Sequence, residues 1–182
     1  AGMQILTAGG NAFDAAVAVG FALALLWPSW ARAQSLDTIV GISGGSGLSI
    51  GTGDGDTVML RSPIFLVVEV GLVFDGDRTL EWTPGLIFEL DGRVSAGIDP
   101  SIKKLLFIGD SFGIYGAVGT PFFFAPFTLL GVRASVGGMF RFGKRLAVFL
   151  EARINAFFAG SDLPDDGALV KTDVGLGVRF EL

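Results

Sequence analysis

The chain has 182 residues with no Cys and no His, and 18 acidic against 13 basic residues leave a net charge of −5. These absences exclude disulfides, thiol nucleophiles, Ser–His–Asp catalysis and Cys- or His-ligated metals. The charge sign, with no basic run longer than two, argues against a nucleic-acid partner. What remains for an enzyme is carboxylate, Lys or Thr chemistry, and no recognisable frame for it exists, so no enzyme, cofactor or metal site is expected.

Residues 1–33 differ from everything after them. Ala12 to Trp30 reads AFDAAVAVGFALALLWPSW, apolar and without alternation. Its core, 15–27, would span about 20 Å as a helix, short of a hydrocarbon layer of roughly 30 Å. Pro28 ends it just before Ala31-Arg32-Ala33. The segment resembles a secretory signal cleaved after Ala33, although Asp14 and the lack of Lys or Arg ahead of the core depart from the usual positive start. A second resemblance overlaps it. Gly9-Gly10-Asn11-Ala12-Phe13-Asp14-Ala15-Ala16-Val17-Ala18 is similar to the GGNAxDAAVA signature near the start of the gamma-glutamyltransferase family of N-terminal nucleophile hydrolases. There it opens a buried helix, which would make Asn11 and Asp14 helix-start residues. The match covers residues 2–25 and carries over no catalytic residue; the family's Thr-Thr-His segment cannot exist in a chain without His.

From Gln34 onward the pattern changes to period two, the signature of strands. Residues 36–51 carry Ile39, Ile42, Leu48 and Ile50 and end in a Gly/Asp loop, 51–56. Residues 57–75 follow, with Ile64, Leu66, Val68, Val70, Leu72 and Phe74 on one face and Glu69 and Gly71 on the other. A turn at 75–78 leads to 80–90, where Leu80 and Trp82 alternate with Glu81 and Thr83. The Asp91-Gly92 turn then gives 93–99, and 100–103 is expected to close that hairpin. Residues 105–120 are expected to form one bent strand and 121–126 an aromatic loop. Residues 128–142 and 145–159 flank a tight 143–144 turn. A loop at 161–167 precedes a last strand beginning at Val174. The count is about eight, with long connections at 51–56, 121–126 and 161–167 at one end and short ones at the other; only the Asp91-Gly92 turn breaks the pattern, being short where a long loop is expected.

Two-faced strands of this kind suit a closed antiparallel up-and-down transmembrane barrel, an all-β fold in which closure satisfies every backbone group. The 28 Gly and 12% aromatic residues fit it: Gly opens the crowded interior and aromatics ring the interfaces. Arg or Lys on a lipid-facing position near the midplane costs about 2–4 kcal/mol. Glu69, Glu89, Arg133, Arg141, Glu151, Arg153 and Arg179 are therefore expected to face the lumen. An eight-stranded lumen is just wide enough for side chains to fill, which predicts paired ions rather than an open channel. Phe122, Phe123, Phe124, Asp162, Asp165 and Asp166 are expected in the outer loops. The closing Gly177-Val178-Arg179-Phe180-Glu181-Leu182 resembles the C-terminal signal read by the barrel-assembly machinery, with Leu where most such signals end in Phe.

Residues 34–182 thus resemble the small outer-membrane barrels of Gram-negative bacteria. That resemblance implies the lipid bilayer and the assembly machinery as partners, and a structural or loop-mediated binding role toward an unidentified ligand. A narrow pore for small solutes is the second reading, and a gamma-glutamyltransferase-related fragment the third. A soluble lipocalin-like barrel would share the alternation but invert the faces.

Overall fold

The computed structural model describes residues 37–182 apart from 54–55, 75–76, 93, 144 and 164–166. The signal-like and transferase-like stretches lie outside the described residues, as do Asp165 and Asp166. Twelve strands form one sheet: β1 (Thr38–Gly53), β2 (Asp56–Arg61), β3 (Phe65–Val73), β4 (Leu80–Thr83), β5 (Gly85–Glu89), β6 (Ser95–Ile98), β7 (Ser101–Ile108), β8 (Phe112–Gly119), β9 (Phe122–Ala125), β10 (Leu129–Phe142), β11 (Leu146–Ala159) and β12 (Ala168–Glu181). All the pairings are antiparallel. β1 runs against β12 from Ile39↔Glu181 to Thr52↔Ala168 and against β3 from Thr38↔Leu72 to Gly45↔Phe65, and this closes a ring of eight.

Proline explains why twelve segments make eight spans. Pro63 separates β2 from β3, Pro84 separates β4 from β5, Pro100 separates β6 from β7, and Pro121 separates β8 from β9. Each lacks a ladder donor and interrupts its strand locally. The sheet nevertheless runs on across the breaks. Val70 N donates to Pro84 O (3.0 Å), Asp99 N to Gly85 O (2.8 Å), Thr120 N to Pro100 O (3.1 Å) and Gly131 N to Pro121 O (3.1 Å).

Four expected boundaries change. Residues 100–103 are not a turn, because Ser101 already belongs to β7. Residues 105–120 are not one bent strand but parts of β7 and β8, joined at Gly109, whose φ of 70° suits the reversal. Phe122–Ala125 is strand β9, not loop, since it pairs with β6 and β10. The last strand also begins earlier than Val174, at Ala168.

The connections β3–β4, β7–β8 and β10–β11, together with Asp37 and Leu182, lie at one end of the ring, here the turn end. Those of β1–β2, β5–β6, β9–β10 and β11–β12 lie at the other, the loop end. Outward residues are apolar and exposed all round the ring, for example Val136 at 66%, Leu176 at 61%, Leu106 at 58% and Leu150 at 56%.

Inward residues are buried, and they are not only small or charged. Phe65, Phe107, Tyr115, Phe123, Phe149 and Phe157 also turn inward. Each faces a glycine across the strand pair: Gly45, Gly113, Gly137, Gly97, Gly177 and Gly131 respectively. The fit is close. A Cβ at Gly137 would stand 2.4 Å from Tyr115 Cζ, and one at Gly177 2.4 Å from Phe149 Cζ. At Gly113, Gly131, Gly137 and Gly177 the paired ring occupies volume that the glycine leaves empty, whereas at Gly45 and Gly97 neighbouring backbone stands closest, and the Phe65 ring lies instead against Gly175, where a Cβ would stand 2.9 Å from its Cζ. Toward the loop end Phe65, Val67, Ile87, Phe123, Leu129 and Phe157 form one apolar cluster. Toward the turn end Leu105, Tyr115, Met139 and Phe149 form another.

Candidate functional site

The period-two pattern that sends Val and Leu outward sends ionisable side chains into the ring, where water is scarce and a lone charge is costly. They are paired. Arg179 donates to Glu81 (2.6 Å) and Lys103 to Glu69 (3.0 Å), while Arg133 pairs with Asp99, Arg153 with Glu151 and Lys171 with Glu89. All ten side chains are buried or nearly so, the most open being Glu69 at 14%. Neutral donors reach two of the carboxylates, Tyr115 Oη donating to Glu151 (2.8 Å) and Ser95 Oγ to Glu89 (2.9 Å), while Glu81 Oε2 and Asp99 Oδ1 are buried without a hydrogen-bond partner.

The inward rings bind the same cations through their faces. Lys103 Nζ lies 4.9 Å from the centroid of Tyr115, Arg153 4.4 Å from Phe65, and Lys171 5.4 Å from Phe157. A recurring unit results, in which a glycine admits a ring, the ring supports a cation and the cation holds a carboxylate. Nearer the turn end Arg141 lies 4.8 Å from Phe107 and donates to Glu181 (2.7 Å), which also accepts from Arg78 (3.0 Å).

The seven residues expected to face the lumen therefore sit in this network: Glu69, Glu89, Arg133, Glu151, Arg153 and Arg179 deep within it, and Arg141 half-buried at its turn-end edge. Five further members were not among them. Lys103 falls in the expected 100–103 turn and Lys171 ahead of the strand expected from Val174, while Asp99 ends the expected strand 93–99. Glu81 and Asp173 already alternated with apolar neighbours, and that alternation was the available signal.

Asp173 is the one inward carboxylate among the described residues with no cation bonded to it; Asn155 Nδ2 donates to its Oδ2 (3.1 Å). It borders a small cavity of about 20 Å³ with Ser62, Asn155, Lys171 and Glu89. This is room for a water molecule, not for a solute path. Among the described residues no acidic group of three or more could hold a metal ion.

Phe127, Leu163 and Leu169 pack on the upper apolar cluster. Thr128 and Ser161 bind each other three times, Thr128 N to Ser161 Oγ and Ser161 N to Thr128 Oγ1, both at 3.0 Å, and Thr128 Oγ1 to Ser161 Oγ at 3.3 Å. Of the expected outer-loop residues, Phe123 points inward at 2% exposure against Phe157, while Phe124 is exposed at 49% and Phe122 half-buried. The correction follows from register, which pairs Phe123 with Gly97 and Leu129. Asp162 is half-buried in the β11–β12 connection.

No family model matches the chain, and no curated protein matches it. Among solved structures it is similar to Neisserial surface protein A, with a TM-score of 0.60 at 9% identity over 80% of this chain and 97% of that one. It is also similar to a de novo designed transmembrane β-barrel, with a TM-score of 0.52 at 10% identity over 80% and 95% of the two chains. The N-terminal β-barrel domain of Pseudomonas aeruginosa OprF matches with a TM-score of 0.51 at 10% identity over 80% and 97%. The fold is that of small outer-membrane barrels. At such identity the likeness reaches the architecture of the ring and not the loop end, where a specific role would be written.

Proposed function

We propose that this chain is a Gram-negative outer-membrane barrel with a closed interior, acting by binding through its loop end. The observation that carries the reading is the inversion of its faces: large apolar side chains are exposed around the whole ring while the ion pairs are buried within it. A soluble barrel places them the other way round, and an exposed apolar surface on this scale marks a lipid contact. Export would remove residues 1–33, and the assembly machinery would recognise β12. Closure favours binding over solute passage. The charged interior is lined by rings and ion pairs, the cavity beside Asp173 has the size of a water molecule, and an apolar cluster packs toward the loop end.

The test is to express the chain in a Gram-negative host with an epitope inserted in the 160–167 connection or, separately, in the 109–111 turn. Intact cells should be labelled by antibody only in the first case, and purified protein should leave a planar bilayer without stepwise conductance. Recovery in the soluble periplasmic fraction, or labelling at 109–111 instead, would overturn the membrane orientation. Steady ion conductance would overturn the closed interior.

A further inference from the structure

The ring closes at one ladder that no connection of the chain supports. Every other pair of neighbouring spans is joined in sequence, whereas β1 meets β12 from the opposite end of the sheet's chain order, with Ile39 against Glu181 at the turn end and Thr52 against Ala168 at the loop end. Holding such distant segments together costs more chain entropy than closing a hairpin.

Side chains converge on the turn-end mouth of this seam. Leu182 N donates to Thr38 O (3.0 Å) and Glu181 N to Arg145 O (2.8 Å). Asp37 stands just ahead of β1, and Glu181 ends β12. The Arg78 guanidinium reaches both: its Nε lies 3.1 Å from Asp37 Oδ2, and its Nη2 donates to Glu181 Oε2 (3.0 Å). Arg78 belongs to neither strand. It comes from the β3–β4 connection, on the side of β1 away from β12.

Glu181 is held from within as well. Arg141 on β10 donates to its Oε1 (2.7 Å) and lies 4.8 Å from the Phe107 ring of β7. One chain of ionic contacts thus runs from β10 to β12 and on, across β1, to the β3–β4 connection. Deeper in the ring Arg179 to Glu81 and Arg153 to Ser43 also cross the seam; at its mouth the crossing is made by Arg78.

The backbone of Arg78 separates the side chain's role from the turn's. Its φ is 57°, the one positive value at a residue other than glycine among the described residues. A Cβ is disfavoured in that conformation and glycine is not. Glycine would therefore serve the turn better, and what the arginine adds is its guanidinium, a fork that can reach two carboxylates at once. Of those two, Glu181 is 16% exposed and Asp37 56%, so solvent weakens the Asp37 contact more.

We infer that Arg78 is a clasp that keeps the β1–β12 seam shut at the turn end, and that the closed ring opens there first when the clasp is released. The inference goes beyond the loop-end role proposed above and does not depend on it.

The experiment uses the full chain refolded in a neutral detergent and residue-resolved amide hydrogen exchange by NMR. Arg78→Gly should leave the mobility of unboiled protein unchanged and speed exchange at Glu181 and Leu182 by about tenfold or more, while residues 47–50 and 170–173 of the same ladder keep their wild-type rates. Asp37→Asn, which keeps the size and removes the charge, should speed the same two amides by a smaller factor. Added to Arg78→Gly it should have no further effect. Unchanged exchange at Glu181 and Leu182 in Arg78→Gly, an equal rise along the whole ladder, or multiplying effects in the double variant would overturn the inference. Should Arg78→Gly fail to refold, Asp37→Asn alone decides: a rise confined to the seam mouth supports the clasp, and no rise overturns it.

Discussion

Gly137 and Glu81 show how little freedom single interior positions have. Gly137 faces the Tyr115 ring so closely that an added methyl group must displace it; Gly137→Ala should cost about 1–3 kcal/mol by overpacking, measured by urea unfolding of the refolded protein. Gly177→Ala should behave alike against Phe149. Glu81 is the carboxylate that Arg179 bonds, both nearly fully buried. Glu81→Ala strands the guanidinium and should cost about 3–5 kcal/mol, whereas the double variant Glu81→Ala with Arg179→Met should recover most of the loss. A double variant as unstable as the single one would show that the pair contributes more than its mutual neutralisation. These positions were unequally legible. Period two tells which residues share a face, so the charged residues of β10 to β12 could be assigned inward from the cost of the alternative. Parity with Glu69 also puts Phe65 and Val67 inward; what it could not show is the room for a bulky ring there, because the glycine that admits each ring lies on a different strand.

At the level of elements, the prolines and glycines carry the ambiguity. Both mark turns in a sequence, but Pro100 interrupts a span that continues in β7, and Gly109 makes the real reversal. A short Gly-Ser insertion after Asp110 should leave a folded barrel, because it lengthens a solvent-facing turn. The same insertion after Ser101 should prevent folding, since it shifts the register of β7 against β8 and β4 and moves Lys103 away from Glu69. Electrophoretic mobility of unboiled samples distinguishes the two outcomes. Tolerance at both sites would contradict the pairing of β7.

For the whole molecule the decisive property is closure with inverted faces. Unboiled protein should migrate faster than boiled protein, because a closed barrel in detergent stays compact until heat opens it. Val136→Arg, placed on the exposed outer face of β10, should destabilise the protein refolded in lipid by about 2–4 kcal/mol. It should have little effect if water bathes that face. The comparison of lipid with aqueous refolding therefore tests the membrane environment directly.

The sequence by itself determined the all-β class, the number of spans and the parity of most charged residues, because alternation and the cost of exposing or burying charge are local to each strand. Only the tertiary structure decided which glycine admits which ring, which cation meets which carboxylate, and where proline interrupts a span instead of ending it. Each of these depends on register between strands that lie far apart in the chain, and cross-strand register is a property of the closed ring rather than of any one segment.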